Sequence, residues 1–201
     1  MAGRAPRAPQ RDPGRGVPRG RFAVVAARFN EHIVKRLVSG ALRALASSGV
    51  AEESIEVHWV PGSFELPQAA QHLARSGRYA AIVCVGCVIK GQTPHFDFVA
   101  GEAAAGIQRV ALDTGVPATF GVITSLSEEQ ALERSGGEVG NRGEEAAHAA
   151  IEMAAFVQTG NVRSNAGRRR RGPGDSLPDR RGAGALRRRP GGKQESRPGG
   201  K

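Results

Sequence analysis

Apolar residues recur in two alternating rhythms between positions 21 and 157. The run Arg21 to Ala27 (RFAVVAA) is short and almost wholly apolar, and reads as a strand. From Glu31 to Ser48, Ile33, Leu37, Val38, Ala41, Leu42 and Leu45 fall at helical spacing, and Gly49 is a fitting stop. Ser54 to Val60 predicts a second strand, and Glu65 to Ser76 a helix ending at Gly77. Tyr79 to Ile89 is apolar nearly throughout, as expected of a strand covered on both faces. Phe96 to Thr114 is an Ala-rich helix that stops at Gly115, and Ala118 to Thr124 predicts a fourth strand. Helices over Ser127 to Arg134 and Arg142 to Val157 complete the pattern, the first capped by Ser127 with Gln130.

Strands alternating with helices imply crossover connections. The expected fold is α/β, with a parallel four-stranded sheet and helices on both faces. Sheets of this kind bind ligands beyond the carboxyl ends of their strands. Four places qualify: Arg28-Phe29-Asn30, Pro61 to Glu65, Lys90 to His95, and Thr124-Ser125.

Charge changes the picture at the ends. The chain has 201 residues and net charge +10, which suggests a nucleic-acid binder at first sight. Residues 1–20 carry +4 and residues 161–201 carry +10, whereas 21–160 carry −4. The basicity therefore lies in the tails, and the core is not a basic-faced binding domain. Both tails lack apolar periodicity and are expected to be disordered, flanking one domain over 21–160. Arg168 to Arg171 and Arg187 to Arg189 form charge blocks. No stretch is long and apolar enough for a membrane span, and the N-terminus lacks the apolar segment of a signal peptide. It is Arg-rich and acid-poor, as transit peptides are, but full of Pro and Gly and without Ser. A cytoplasmic protein is expected. The two cysteines, Cys84 and Cys87, are too few for a disulfide framework. Their C-x-x-C spacing lies inside the third strand, where positions three apart face opposite ways, so a redox pair is not expected. Nothing at ligand spacing suggests a metal site.

The strand ends hold the chemistry. Gly91-Gln92-Thr93 lies between a strand end and a helix start, where free N–H groups and the helix dipole attract phosphate. The Walker pattern is absent, so such a phosphate would belong to a small metabolite, and a plain β–α turn is the alternative. His95 stands at the mouth of the same helix, and an imidazole can pass protons both ways near neutrality. A capping or solvated histidine is the alternative. His32, His58, His72 and His148 have no motif around them. Phe29 closes the first strand in a polar turn, where it can stack on a flat heterocycle or pack into the core. Glu65 opens the second helix, where it favours the helix whatever its function and can accept hydrogen bonds from a polyol. Arg134 precedes Ser135-Gly136-Gly137, where a guanidinium can grip phosphate or simply complement a helix end.

In order, Arg28-Phe29-Asn30, Pro61 to Pro67, Gly86 to Asp97, Phe120 to Thr124, Glu133 to Gly136 and Gly140 to Gly143 resemble the motifs of the 6,7-dimethyl-8-ribityllumazine synthases. The resemblance spans about residues 21–158. It implies a flavodoxin-like three-layer sandwich, a transferase of riboflavin biosynthesis, and pentamers with sites between neighbouring subunits, which in some relatives close into an icosahedral shell. It implies condensation of 5-amino-6-ribitylaminouracil with 3,4-dihydroxy-2-butanone 4-phosphate, without cofactor or metal. By match to the motifs, Phe29 stacks on the pyrimidine, and Ser63, Phe64 and Glu65 hold its ribityl side. Cys87, Val88 and Ile89 offer backbone hydrogen bonds, and Gln92 and Thr93 bind phosphate. Phe120 and Arg134 arrive from the neighbouring subunit, and His95 is the acid–base residue. Three features depart from the pattern. Arg142 stands where many relatives carry Lys, Glu138 stands where a Lys is common, and the basic tails have no counterpart in the motifs. Two rival readings are an FMN-holding electron carrier and a nucleic-acid-binding scaffold working through the tails. The first lacks a Ser/Thr/Gly-rich phosphate loop after the first strand. The second has Arg runs without interleaved aromatics, which give salt-dependent, sequence-blind attraction at most.

Overall fold

The computed structural model describes residues 17–169. Strands β1 (Arg21–Ala27), β2 (Ile55–Val60), β3 (Tyr79–Ile89) and β4 (Ala118–Ser125) form one parallel sheet in the order β2-β1-β3-β4. Between them run α1 (Glu31–Ser47), α2 (Leu66–Arg75) and α3 (His95–Thr114), followed by α4 (Glu128–Glu133) and α5 (Arg142–Arg169). The order dictates the layers. The step from β1 to β2 goes one way across the sheet, and the steps from β2 to β3 and β3 to β4 go the other way. Right-handed crossovers therefore put α1 on one face and α2 and α3 on the opposite face. This is a flavodoxin-like three-layer sandwich, with its topological switch between β1 and β3.

Each face has its own core. On β1, Phe22, Val24 and Ala26 pack with Ile33, Leu37, Leu45, Ala147 and Ile151 of α1 and α5. The alternate residues Ala23, Val25 and Ala27 pack with Leu66, Ala70, Ile107 and Val110 of α2 and α3. A fully buried Phe, Leu or Ile contributes about 1.5–3 kcal/mol of transfer free energy, so these layers outweigh weak local propensities. Cys84 falls in the second core and Cys87 in the first, on opposite faces as expected. Burial pushes the Cys84 thiol up to about 12. It pushes Cys87 to about 11, with a contact to Asn30 acting the other way and the nearby Glu128 charge adding to the rise. Neither thiol is a ready nucleophile. Native protein at pH 8 should thus resist iodoacetamide while denatured protein takes up label at both positions. Fast labelling of the native chain would contradict this burial.

The expected elements are present, with shifts that have local causes. The second helix starts at Leu66, because Ser63–Glu65 first makes a 3₁₀ turn and Pro67 sits in its opening positions. Helix α1 does stop at Gly49, whose φ is +87°. Ser127 accepts from the Gln130 N–H at 3.4 Å, while the Gln130 side chain accepts from the Leu126 N–H at 3.0 Å, one residue before a capping box would place it. A small antiparallel hairpin, β5 (Ser135–Gly137) with β6 (Gly140–Asn141), stands between α4 and α5, where the hydrophobic pattern predicts no element.

The last helix does not end at Val157 but continues to Arg169, into the segment expected to be disordered. Residues 170–201 lie outside the described residues, as do residues 1–16. Positions 17–20 are not loose. Pro18 is buried, the Arg19 N–H donates to Gln158 Oε1 at 3.0 Å, and Gln158 Nε2 donates back to the Arg19 carbonyl at 2.6 Å. This two-bond clasp joins the start of the domain to α5.

At the amino ends of the strands, Glu56 ties three strands together. Arg21 Nη2 lies 2.6 Å from Glu56 Oε1, and the Tyr79 hydroxyl and His58 meet Oε2. The Tyr79 hydrogen bond is the largest influence holding the Glu56 carboxyl below its usual range. Among the described residues no helix is long and apolar enough to cross a membrane, and no group of three or more His, Cys, Asp or Glu could hold a metal ion.

Candidate active site

The carboxyl ends of β1, β2 and β3 meet at the switch point, and backbone bonds carry the sheet slightly past them. The Arg28 N–H donates to the Val60 carbonyl at 2.8 Å, and the Phe29 N–H to the Pro61 carbonyl at 3.1 Å. These bonds lock the turn after β1 against the Pro61–Glu65 loop. Asn30 then adopts a left-handed conformation, with φ 59° and ψ 42°, which a short polar side chain tolerates. Its Nδ2 donates to the Cys87 carbonyl at 3.0 Å, which extends β1–β3 pairing one step beyond the backbone ladder. On the far side of β3, the Lys90 N–H donates to the Ser125 carbonyl at 2.9 Å before the chain leaves the sheet at Gly91.

These loops enclose a cavity of about 610 Å³. Phe29, Ser63, Phe64, Glu65, Cys87, Val88, Ile89, Thr93 and His95 all line it, with Gly91 and the α3 aromatics Phe96 and Phe98. Nine of the twelve expected site residues thus share one wall. Gln92, Phe120 and Arg134 do not line it. Phe96 and Phe98 were not singled out from the sequence, although their position after His95 on one helix start was the available signal.

The wall is chemically uneven. Phe29 is 70% exposed, Phe64 56% and Phe98 69%, so three large aromatics stand at a cavity rim instead of in a core. Exposed rings of this size gain from stacking on a flat ligand. Ser63 is the opposite case. It is buried, and its Oγ is the buried side-chain polar atom with no hydrogen-bond partner among the described residues. Leaving a hydroxyl buried and unpaired costs about 1–3 kcal/mol, which a ligand atom in the cavity would recover. Gly86 makes this arrangement possible, since a Cβ there would sit 2.5 Å from Ser63 Oγ. Glu65 closes the 3₁₀ turn, its N–H bonded to the Gly62 carbonyl at 3.3 Å, and the residue lines the cavity. His95 is the first residue of α3, behind Pro94 at the cap.

Residues 19–158 match the family model described as 6,7-dimethyl-8-ribityllumazine synthase. The chain belongs to this family. It is therefore an enzyme of the transferase type in riboflavin biosynthesis, and lumazine synthase membership implies small-molecule substrates and a homo-oligomer. The match starts and ends at the two clasp residues, Arg19 and Gln158. Membership also sets aside the electron-carrier reading.

The two lumazine synthase motifs that miss the cavity lie on other surfaces. Phe120 is on the outer strand β4, half-exposed and in register with Cys84. Arg134 caps the end of α4, where Nη1 donates to the Gln130 carbonyl at 2.9 Å and lies 3.6 Å from Glu133 Oε2. The Arg142 side chain is paired with Glu145. Each arginine thus has a carboxylate beside it, and neither is in its own chain's cavity.

Proposed function

We propose that the chain condenses 5-amino-6-ribitylaminouracil with 3,4-dihydroxy-2-butanone 4-phosphate to 6,7-dimethyl-8-ribityllumazine, phosphate and water. The observation that carries this reading is the cavity, which gathers Phe29, Ser63–Glu65, Cys87–Ile89, Thr93 and His95 from three adjacent strand ends. An aromatic rim suits a flat pyrimidine, with Phe29 stacked on it. The Ser63 hydroxyl and the Glu65 carboxylate suit the ribityl chain, beside Phe64. The backbone of Cys87, Val88 and Ile89 offers hydrogen bonds to the ring. Gln92 and Thr93, within the turn before α3, would bind the phosphate.

Each step of the reaction moves a proton. The amine attacks a ketone, the carbinolamine loses water, and phosphate leaves. One reversible donor near the carbonyl serves these steps, and His95, an imidazole lining the cavity, is assigned this role. Holding two substrates in register supplies much of the remaining rate. No cofactor or metal is called for. Phe120 and Arg134 are assigned to the cavity of a neighbouring subunit in a pentamer. The short segment between Arg134 and Arg142 is the kind found where pentamers close into an icosahedral shell. A cytoplasmic location fits this chemistry. Mixing both substrates with the enzyme should yield the fluorescent lumazine, and absence of product with a folded assembly would refute the reaction.

The tails are read as dispensable for catalysis and attractive to polyanions. Full-length assembly should co-purify with nucleic acid at low salt and release it at high salt, since sequence-blind attraction of this type falls steeply with ionic strength. A 1–160 variant should keep lumazine synthesis and lose the nucleic acid. An absorbance ratio of pure protein at low salt for the full chain would rule the attraction out.

A further inference from the structure

Asn141 is buried, and every bonding position of its amide is used. Its Nδ2 donates to the Arg36 carbonyl of α1 and to the Ser135 carbonyl of the hairpin, each at 3.0 Å. Its Oδ1 accepts from the Gly143 N–H at 2.9 Å and the Glu144 N–H at 3.1 Å, which caps α5. One side chain thus joins three elements, and the residue that leads into the hairpin is Arg134. The Arg142 N–H donates to the Arg134 carbonyl at 2.9 Å, closing the hairpin's base. On its other side the hairpin lies flat on the last turn of α4, because a Cβ at Gly137 would sit 2.7 Å from Glu133 Cα. Room for the amide is reserved on α1, where a Cβ at Gly40 would overlap the Asn141 carboxamide.

We infer that Asn141 is a positioning residue for the phosphate-bearing substrate, acting by fixing the end of α4 from which Arg134 projects. The inference rests on the phosphate role proposed for Arg134. Asn141 touches neither the cavity nor the guanidinium, so its effect must pass through the backbone of residues 134–142. A small displacement of a gripping side chain is costly in a site that depends on register.

The test is a set of steady-state measurements on the full chain, with melting temperature and assembly size recorded for each variant. Asn141→Asp keeps an acceptor for the α5 N–H groups but loses both donations to Arg36 and Ser135. Asn141→Ser serves if the aspartate variant fails to assemble. The keto-phosphate KM should rise about tenfold, a large part of one charge-assisted contact. The pyrimidine KM and kcat should stay within about twofold, and the rise should vanish in an Arg134→Ala background. A rise that persists without Arg134, or one shared equally by both substrates, would make Asn141 merely structural and overturn the inference while leaving Arg134's role intact. An Arg134→Ala enzyme with unchanged keto-phosphate KM would instead refute the phosphate role and the inference with it.

Discussion

Replacing His95 by alanine is expected to slow turnover by about 10²-fold or less, while the assembly stays intact. General acid–base catalysis typically contributes ~10²–10⁴, and the lower end applies because water can partly replace a proton shuttle in an open site. His95 is exposed at the start of α3 and lines the cavity. Among the described residues it makes no side-chain hydrogen bond or ion pair, so substrate KM values and oligomer size should hardly move. The measurement is kcat at saturating concentrations of both substrates. Unchanged turnover would remove His95 from the mechanism and leave positioning of the two substrates as the main source of rate.

Arg134→Ala should act through one substrate only. Loss of a charge-assisted phosphate contact costs about 1.5–3 kcal/mol, or roughly ten- to a hundredfold in affinity for the keto-phosphate. The guanidinium is already partly engaged by Gln130 and Glu133, and Arg142 by Glu145, so the lower part of that range is favoured. Initial rates with each substrate varied in turn decide the matter. Equal weakening of both would make Arg134 a structural residue. Because Arg134 does not line its own chain's cavity, mixed assemblies give a second readout. Combining His95→Ala chains with Arg134→Ala chains should restore some sites that carry both groups, if the arginine serves a neighbour.

The sheet and its helices were legible because they follow from period alone. β1 alternates between two cores, β3 is apolar throughout, and glycines stop α1 and α3 where the apolar spacing ends. The strand-end rule led directly to the cavity, since parallel strands deliver their loops to one edge. What period could not show was set by contacts distant in sequence. The β5–β6 hairpin has no apolar stripe, and Asn141 holds it by reaching 105 residues back to Arg36. Pro18 and Arg19 sit in a segment that looks disordered by composition, yet Pro18 is buried and Gln158 pairs with Arg19 from the far end of the domain. The buried Ser63 hydroxyl, without a partner among the described residues, likewise depends on the distant Gly86, where a Cβ would sit 2.5 Å from it. Helix α5 outran its expected end because the apolar spacing stops near Val157 but no Pro follows within the helix, which passes through Gly160 and Gly167 to Arg169.

The clasp between Arg19 and Gln158 makes the domain almost a closed ring of chain. It lies beside the amino ends of the strands, whereas the cavity opens at their carboxyl ends. Chain that leaves the domain at Arg19 and at Gln158 therefore departs from one doorway, with the length of the strands between it and the substrates. A lineage carrying such a domain can acquire, exchange or discard extensions as if they were luggage tied to a single handle. Selection on the tails and selection on the chemistry then proceed with little mutual interference.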